Sequence, residues 1–197
     1  MSRRTTLFIP GGYYHIYNRG ANKVSLFRTE ANYLHALALL KDYSRRLQVS
    51  VIAYCLMPNH YHWLVRQDGD AAAGLLPQRV FNVYSHVMHH VAHHSGTLFE
   101  GPYKIIKVSS EPYLCHLCRY IHANPVHHGI FSDITRWPYS NYPEWIGIRG
   151  GTLLDKDFIQ QRFPVPGAYQ AFVEAYLAGH SFCPSGLADY LQQLDPL

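Results

Sequence analysis

The sequence predicts an α+β domain, an antiparallel sheet with helices packed on it. Three observations carry that expectation. Val49 to Met57 is a β-branched, apolar run, and the turn pair Pro58-Asn59 separates it from a second strand-like run, His60 to Arg66. Two long segments carry apolar residues at helical spacing. Short strand-like runs stand before and after them, so strands and helices mix along the chain.

The elements follow in order. Residues 12–18 are aromatic-rich and read as a strand that Asn18-Arg19-Gly20 ends. From Thr29 to Leu47, Tyr33, Ala36, Leu37, Leu40, Tyr43 and Leu47 recur with the period of a helix. The runs 49–57 and 60–66 then pair as an antiparallel hairpin closed by Asp68-Gly69-Asp70. Pro77 suits a helix start, Val80, Tyr84, Val87 and Val91 continue the stripe, and Gly96 marks its stop. Lys104 to Val108 is a short strand. Tyr113 to Asn124 is a helix that Pro125 is expected to end. The division expected is a catalytic-type body over 1–148 and an extension over 149–197, with short helices near 168–178 and 185–194.

Composition bounds the function. The chain has 197 residues, 48% hydrophobic and 15% charged, which is globular and not disordered. No apolar run approaches the ~18 residues that cross a bilayer. Leu7-Phe8-Ile9 is too short for a signal-peptide core, so a cytoplasmic protein is expected. A net charge of +4 permits a nucleic-acid partner without demanding one. Of the four cysteines, Cys115 and Cys118 form a CxxC with no second pair, so they read as small residues at the core edge rather than a zinc knuckle. The cluster His86, His89, His90, His93 and His94 reads as a polar helix face before it reads as a metal site.

Two patterns carry chemistry. His60 and His62 lie two apart on a strand and so share a face, while Tyr61, Trp63 and Val65 face the other way. Paired imidazoles suit a divalent metal, although two surface histidines would give the same pattern. On the helix that follows, Leu114, Leu117, Cys118 and Ile121 form the core stripe. Tyr113, His116, Tyr120 and Asn124 form a second stripe, with Tyr120 and Asn124 one turn apart. A tyrosine is a competent covalent nucleophile when its electrophile is strongly activated. His116, four residues before Tyr120, is placed to help move the phenolic proton.

Together these residues resemble a known family. Tyr14-His15-Ile16-Tyr17-Asn18-Arg19-Gly20 opens the match, and Ala53 to Val65, with Pro58-Asn59-His60-Tyr61-His62-Trp63 at its centre, is the most specific block. Arg119-Tyr120-Ile121-His122-Ala123-Asn124-Pro125-Val126 and Trp137-Pro138-Tyr139-Ser140-Asn141-Tyr142 follow in order. The four blocks resemble the REP-associated tyrosine transposases, relatives of the single-strand insertion-sequence transposases with the His-hydrophobe-His (HUH) motif. The resemblance covers about residues 10–148.

The resemblance implies a ferredoxin-like HUH-endonuclease fold with the histidine pair on a central strand. It implies Mg²⁺ or Mn²⁺ held by His60, His62 and Asn124, with Tyr120 as nucleophile. The substrate implied is single-stranded DNA beside a hairpin, joined to the enzyme through a 5′-phosphotyrosine. Arg19, Lys104 and Lys107 are the expected phosphate contacts, with tyrosines as stacking surfaces for bases. The protein would act as a monomer or homodimer in the cytoplasm, at the nucleoid. Two other readings compete: a DNA-hairpin-binding protein without catalysis, and a zinc hydrolase using the His-x-His pair without a covalent tyrosine.

Overall fold

The computed structural model describes residues 6–92 and 96–180, the side chains of 89–92 apart. The helix expected near 185–194, Cys183, His93, His94 and the side chains of His89 and His90 lie outside what is described. Four strands, β1 (Tyr13–Arg19), β2 (Val49–Met57), β3 (His60–Gln67) and β4 (Lys104–Val108), form one sheet in the order β2-β3-β1-β4. Every pairing is antiparallel. The sheet carries α1 (Glu30–Arg46), α2 (Leu75–Ala92), α3 (Glu111–His127), α4 (Tyr142–Trp145), α5 (Lys156–Arg162) and α6 (Ala168–Leu177). Among the described residues, no helix is long and apolar enough to cross a membrane.

The pleat sorts side chains between two faces. Tyr61 and Trp63 point to the face covered by α1 and α2, where both rings meet Phe81 at 4.4 and 5.2 Å between centroids. The helices bury a stripe there: Tyr33, Ala36 and Leu40 on α1, and Leu76, Val80, Tyr84 and Met88 on α2. Thr29 and Asn32 close a capping box at the start of α1. His60 and His62 point to the opposite face, which α3 covers.

Helix α3 departs from expectation at both ends. It begins at Glu111, with Pro112 in the first turn, and it runs through Pro125 to His127. Pro125 lacks the N–H that would bond the carbonyl of Ile121, but it lies within one turn of the helix end. The helix closes around it, His128 donating to the Asn124 carbonyl at 3.0 Å and Ile130 and Phe131 to the Pro125 carbonyl at 2.9 and 3.0 Å. The proline therefore lies inside the last turn instead of following it.

The edge of β2 is covered, not bare. Leu56 N–H donates to the Tyr139 carbonyl (2.9 Å) and Asn141 N–H to the Tyr54 carbonyl (3.3 Å). The ladder shifts register between Val51 and Ala53, and that leaves the carbonyl of Ile52 outside it. Asn141 Nδ2 and Trp145 Nε1 both donate to that oxygen, at 2.8 and 3.1 Å. The block Trp137–Tyr142 thus serves as a seal on the sheet edge. Residues beyond 148 join the same core: Phe158 of α5 and Tyr169 and Val173 of α6 are buried with the sheet residues.

Candidate active site

The site is built where β3 faces α3. Strand β3 begins immediately after the turn Pro58-Asn59, and that turn is tied to the end of β1. Gly20 N–H donates to the Asn59 carbonyl at 2.8 Å, and Leu26 and Phe27 donate to the Pro58 carbonyl. Gly20 has no tolerable replacement, because a Cβ there would overlap the Val24 carbonyl oxygen. The register then sets Arg19 opposite His60, and Tyr17 opposite His62.

His60 and His62 are 7% and 3% exposed, with ring centroids 5.3 Å apart and nearly perpendicular. Tyr120 and Asn124, one turn apart on α3, meet them from above. The Tyr120 ring stands edge-on to His62 at 5.6 Å. Asn124 Oδ1 lies 3.2 Å from His60 Nε2, and its Nδ2 donates to the Tyr120 carbonyl at 2.8 Å, which fixes the amide with its oxygen toward the imidazole. The structure thus brings together His60, His62, Tyr120 and Asn124, four of the six residues the two patterns single out on β3 and α3.

The donor set fits a divalent cation. His60 Nδ1 lies 2.7 Å from Asn59 Oδ1, an oxygen that only accepts, so Nδ1 carries the hydrogen. A neutral ring then has its lone pair on Nε2, turned toward the lone pairs of the Asn124 oxygen. A cation between them, or a proton on Nε2, reconciles two facing acceptors. Among the described residues no three His, Cys, Asp or Glu side chains converge on a point fit for a metal. Beside the imidazole pair stands the Asn124 amide oxygen, a donor of the kind that suits Mg²⁺ or Mn²⁺.

The other expected residues fall as follows. The His116 ring packs on Phe172 of α6 at 5.3 Å, and burial lowers its pKa to about 4, Arg119 contributing. Its Nδ1 is buried with no hydrogen-bond partner among the described residues. Arg19 is ion-paired with Glu100 at 2.8 Å. Lys104 stands opposite Tyr17 and Lys107 opposite Tyr14, so the two lysines lie on opposite faces of the sheet and do not serve one surface. Lys104 shares the face of the histidines, its Nζ 5.6 Å from the Tyr17 ring.

Three neighbours escaped the sequence reading. Tyr17 stacks beside His62 at 5.6 Å, and His128, just past α3, has its ring 5.1 Å from His60. His15 is fully buried with Nε2 3.0 Å from His62 Nδ1. Alternation on β1 puts His15, Tyr17 and Arg19 on one side, but only the long-range register with β3 shows that this side is the site.

Burial holds His15 and His122 neutral by lowering each pKa to about 3, and holds His62 well below the usual histidine range. In the unfolded chain each titrates near 6.5. Below that pH the unfolded chain takes up protons that the fold refuses. The stability is therefore complete above pH 6.5 and is lost as the pH falls toward 3. The slope is about 1.4 kcal/mol per pH unit for each imidazole. Urea midpoints are expected to drop steeply between pH 7 and 5; an unchanged midpoint would contradict the neutral burial of these rings.

The family described as "Transposase IS200 like" matches residues 9–124, more than half of the chain, and the protein belongs to that family. Its fold is that of a REP-associated tyrosine transposase solved bound to a REP hairpin, at a TM-score of 0.63 and 17% identity, covering 79% of this chain and 94% of that one. A protein assigned as a transposase from Deinococcus radiodurans R1 superposes more loosely (TM-score 0.37, 18% identity, 61% and 95% covered). So does tRNA(His) guanylyltransferase from Saccharomyces cerevisiae (0.47, 9%, 89% and 81%). No curated protein matches the sequence.

Proposed function

We propose that the protein is a metal-dependent endonuclease and strand transferase for single-stranded DNA beside a hairpin, with Tyr120 as its nucleophile. One observation carries the reading. A single helix sets a phenol ring 5.6 Å from one imidazole of the pair and an amide oxygen 3.2 Å from the other. The REP hairpin bound by the solved relative supports a hairpin as partner here.

In this reading His60, His62 and Asn124 hold Mg²⁺ or Mn²⁺, which supplies Lewis-acid activation of the scissile phosphate when bound. Tyr120 Oη forms a bond to phosphorus, and the bond from phosphorus to the 3′ oxygen breaks. The phenol gives up its proton and the departing 3′ oxygen takes one up. The products are a 5′-phosphotyrosine and a free 3′-OH, so the bond energy is kept and a second 3′-OH can reverse the step. No nucleotide cofactor is required.

His116 enters as proton acceptor: its burial keeps it in the neutral form that accepts a proton. At a pKa of about 4 it is a weak base, so its share is at the low end of general-base effects. His116→Ala is expected to slow cleavage about 10- to 100-fold with hairpin affinity unchanged, as single-turnover rates and gel shifts will read.

Arg19 and Lys104 would contact phosphates on the site face, and Lys107 a backbone segment passing the other side of β4. Glu100 competes with phosphate for Arg19. Glu100→Gln is expected to tighten oligonucleotide binding a few-fold at low salt and to steepen its salt dependence by about one counterion. Stability should hardly change, since an exposed pair contributes about 0–1 kcal/mol. Filter binding across a salt series decides it.

Residues 1–148 form the catalytic part in this reading. Of the extension from 149, the described helices α5 and α6 brace α3, and the protein works in the cytoplasm as a monomer or homodimer. The test is cleavage of end-labelled hairpin oligonucleotides with varied flanks, in Mn²⁺ or chelator. Metal-dependent cleavage that leaves one product on the protein supports the reading. Hairpins bound but intact across all flanks would favour a binding protein without chemistry.

A further inference from the structure

We infer that His15 is the positioning residue of the imidazole pair: it accepts the Nδ1 hydrogen of His62 and so leaves the lone pair on His62 Nε2 for the site. The inference rests on the metal-dependent reading above, but it is scored separately from it.

The two rings lie nearly parallel, 5.2 Å apart at 17°, with Nε2 of His15 3.0 Å from Nδ1 of His62. One hydrogen lies between two nitrogens at that distance, and it belongs to one ring or the other. If His15 gave it, the neutral His62 would carry its own hydrogen on Nε2, and that nitrogen could not bind a cation. If His62 gives it, Nε2 keeps its lone pair. His60 already shows the second arrangement, because its Nδ1 faces an Asn59 oxygen that only accepts. Both histidines of the pair are then held through Nδ1 and offer Nε2. A metal-bound histidine commonly has its other ring nitrogen held in this way, and the partner sets both tautomer and orientation.

The fold also explains why the partner is a histidine. Leu64 stands directly opposite His15, and His62 opposite Tyr17, so His15 and His62 are diagonal neighbours on one face. Diagonal positions are ~7–8 Å apart, a gap that short side chains do not bridge. The Tyr17 ring stacks on His15 at 4.9 Å and beside His62 at 5.6 Å, bracing both planes. His15 is fully buried, so its place is not readily taken by water.

The test compares the native protein with His15→Leu and His15→Gln. The glutamine oxygen reaches the position of the imidazole Nε2 and can accept the same hydrogen. Long-range ¹H–¹⁵N spectra of the metal-free protein report which nitrogen of His62 is protonated, and calorimetry reports Mn²⁺ affinity. The native protein is expected to show His62 protonated on Nδ1. His15→Leu should move that hydrogen to Nε2 and weaken Mn²⁺ binding about 10- to 100-fold, and His15→Gln should recover most of the affinity. Metal-free hairpin affinity and thermal melting check that the fold is kept. A native His62 protonated on Nε2 overturns the inference, and so does a folded His15→Leu that binds Mn²⁺ like the native protein. If His15→Leu does not fold, the native spectrum decides alone. A native protein that binds no Mn²⁺ would sink the metal reading, while the tautomer still scores His15.

Discussion

Tyr120→Phe is expected to abolish the covalent protein–DNA product and to lower hairpin cleavage by at least about 10³-fold, while the protein still folds and binds the hairpin. The ring survives in the variant, and the ring is what packs against His62. Only the hydroxyl is lost, at a cost to stability of about 1 kcal/mol. Asn124 stays fixed through the Tyr120 main-chain carbonyl, which the substitution does not touch. A loss of chemistry without a loss of structure therefore reports the nucleophile. Cleavage that persists would move the assignment to another phenol. Tyr17, at the same 5.6 Å from His62, is the first competitor on geometry, and Tyr113 the first on helix position. Tyr17→Phe is accordingly the control that should retain the covalent product.

Asn141→Ala is expected to destabilise the protein by about 3–5 kcal/mol, although Asn141 touches no residue assigned to the chemistry. Its Oδ1 accepts from Tyr54 N–H at 2.8 Å and from His122 Nε2–H at 2.9 Å. Its Nδ2 donates to the carbonyls of Ile52 and Leu153 at 2.8 and 3.1 Å. Since His122 Nε2 is the donor here, Nδ1 is the acceptor, and the Tyr169 hydroxyl donates to it at 2.6 Å. One buried amide thus links β2, α3 and the segment before α5, and through His122 it reaches α6. Removing it orphans buried N–H groups at about 1–3 kcal/mol each. That is a large part of a typical stability of about 5–15 kcal/mol. Chemical denaturation at pH 7 checks it. A loss below about 1 kcal/mol would show that water replaces the amide and that the network is not structural.

Local pattern explains how much of this could be read in the chain. The strands 49–57 and 60–66 and the helix beginning at Thr29 are written in short-range alternation and helical spacing, and β2, β3 and α1 follow them closely. The pairing of His60 with His62 needed only the period of a strand. The helical turn from Tyr120 to Asn124 needed only the period of a helix. What the sequence could not show depends on contacts between distant segments. His15 and Tyr17 join the site through the register of β1 on β3. Lys104 and Lys107 read alike as neighbouring cations, yet the pleat of β4 parts them. Asn141 looks like one polar residue among aromatics until the irregularity at Ile52 supplies the carbonyl it binds. Pro125 carries the rule for ending a helix, but position within the last turn decided the outcome. The short helices α4 and α5 have too few residues to show a period.

The central claim is that Tyr120 becomes joined to DNA, and peptide mapping of the product tests it most directly. The protein is incubated with Mn²⁺ and a hairpin oligonucleotide, digested with protease and nuclease, and the peptide that retains a nucleotide is sequenced by mass spectrometry. The account predicts a nucleotide on Tyr120 through a 5′ phosphate, formed only with metal present. A nucleotide carried by any other residue, or cleavage that leaves both DNA ends free of protein, would contradict it.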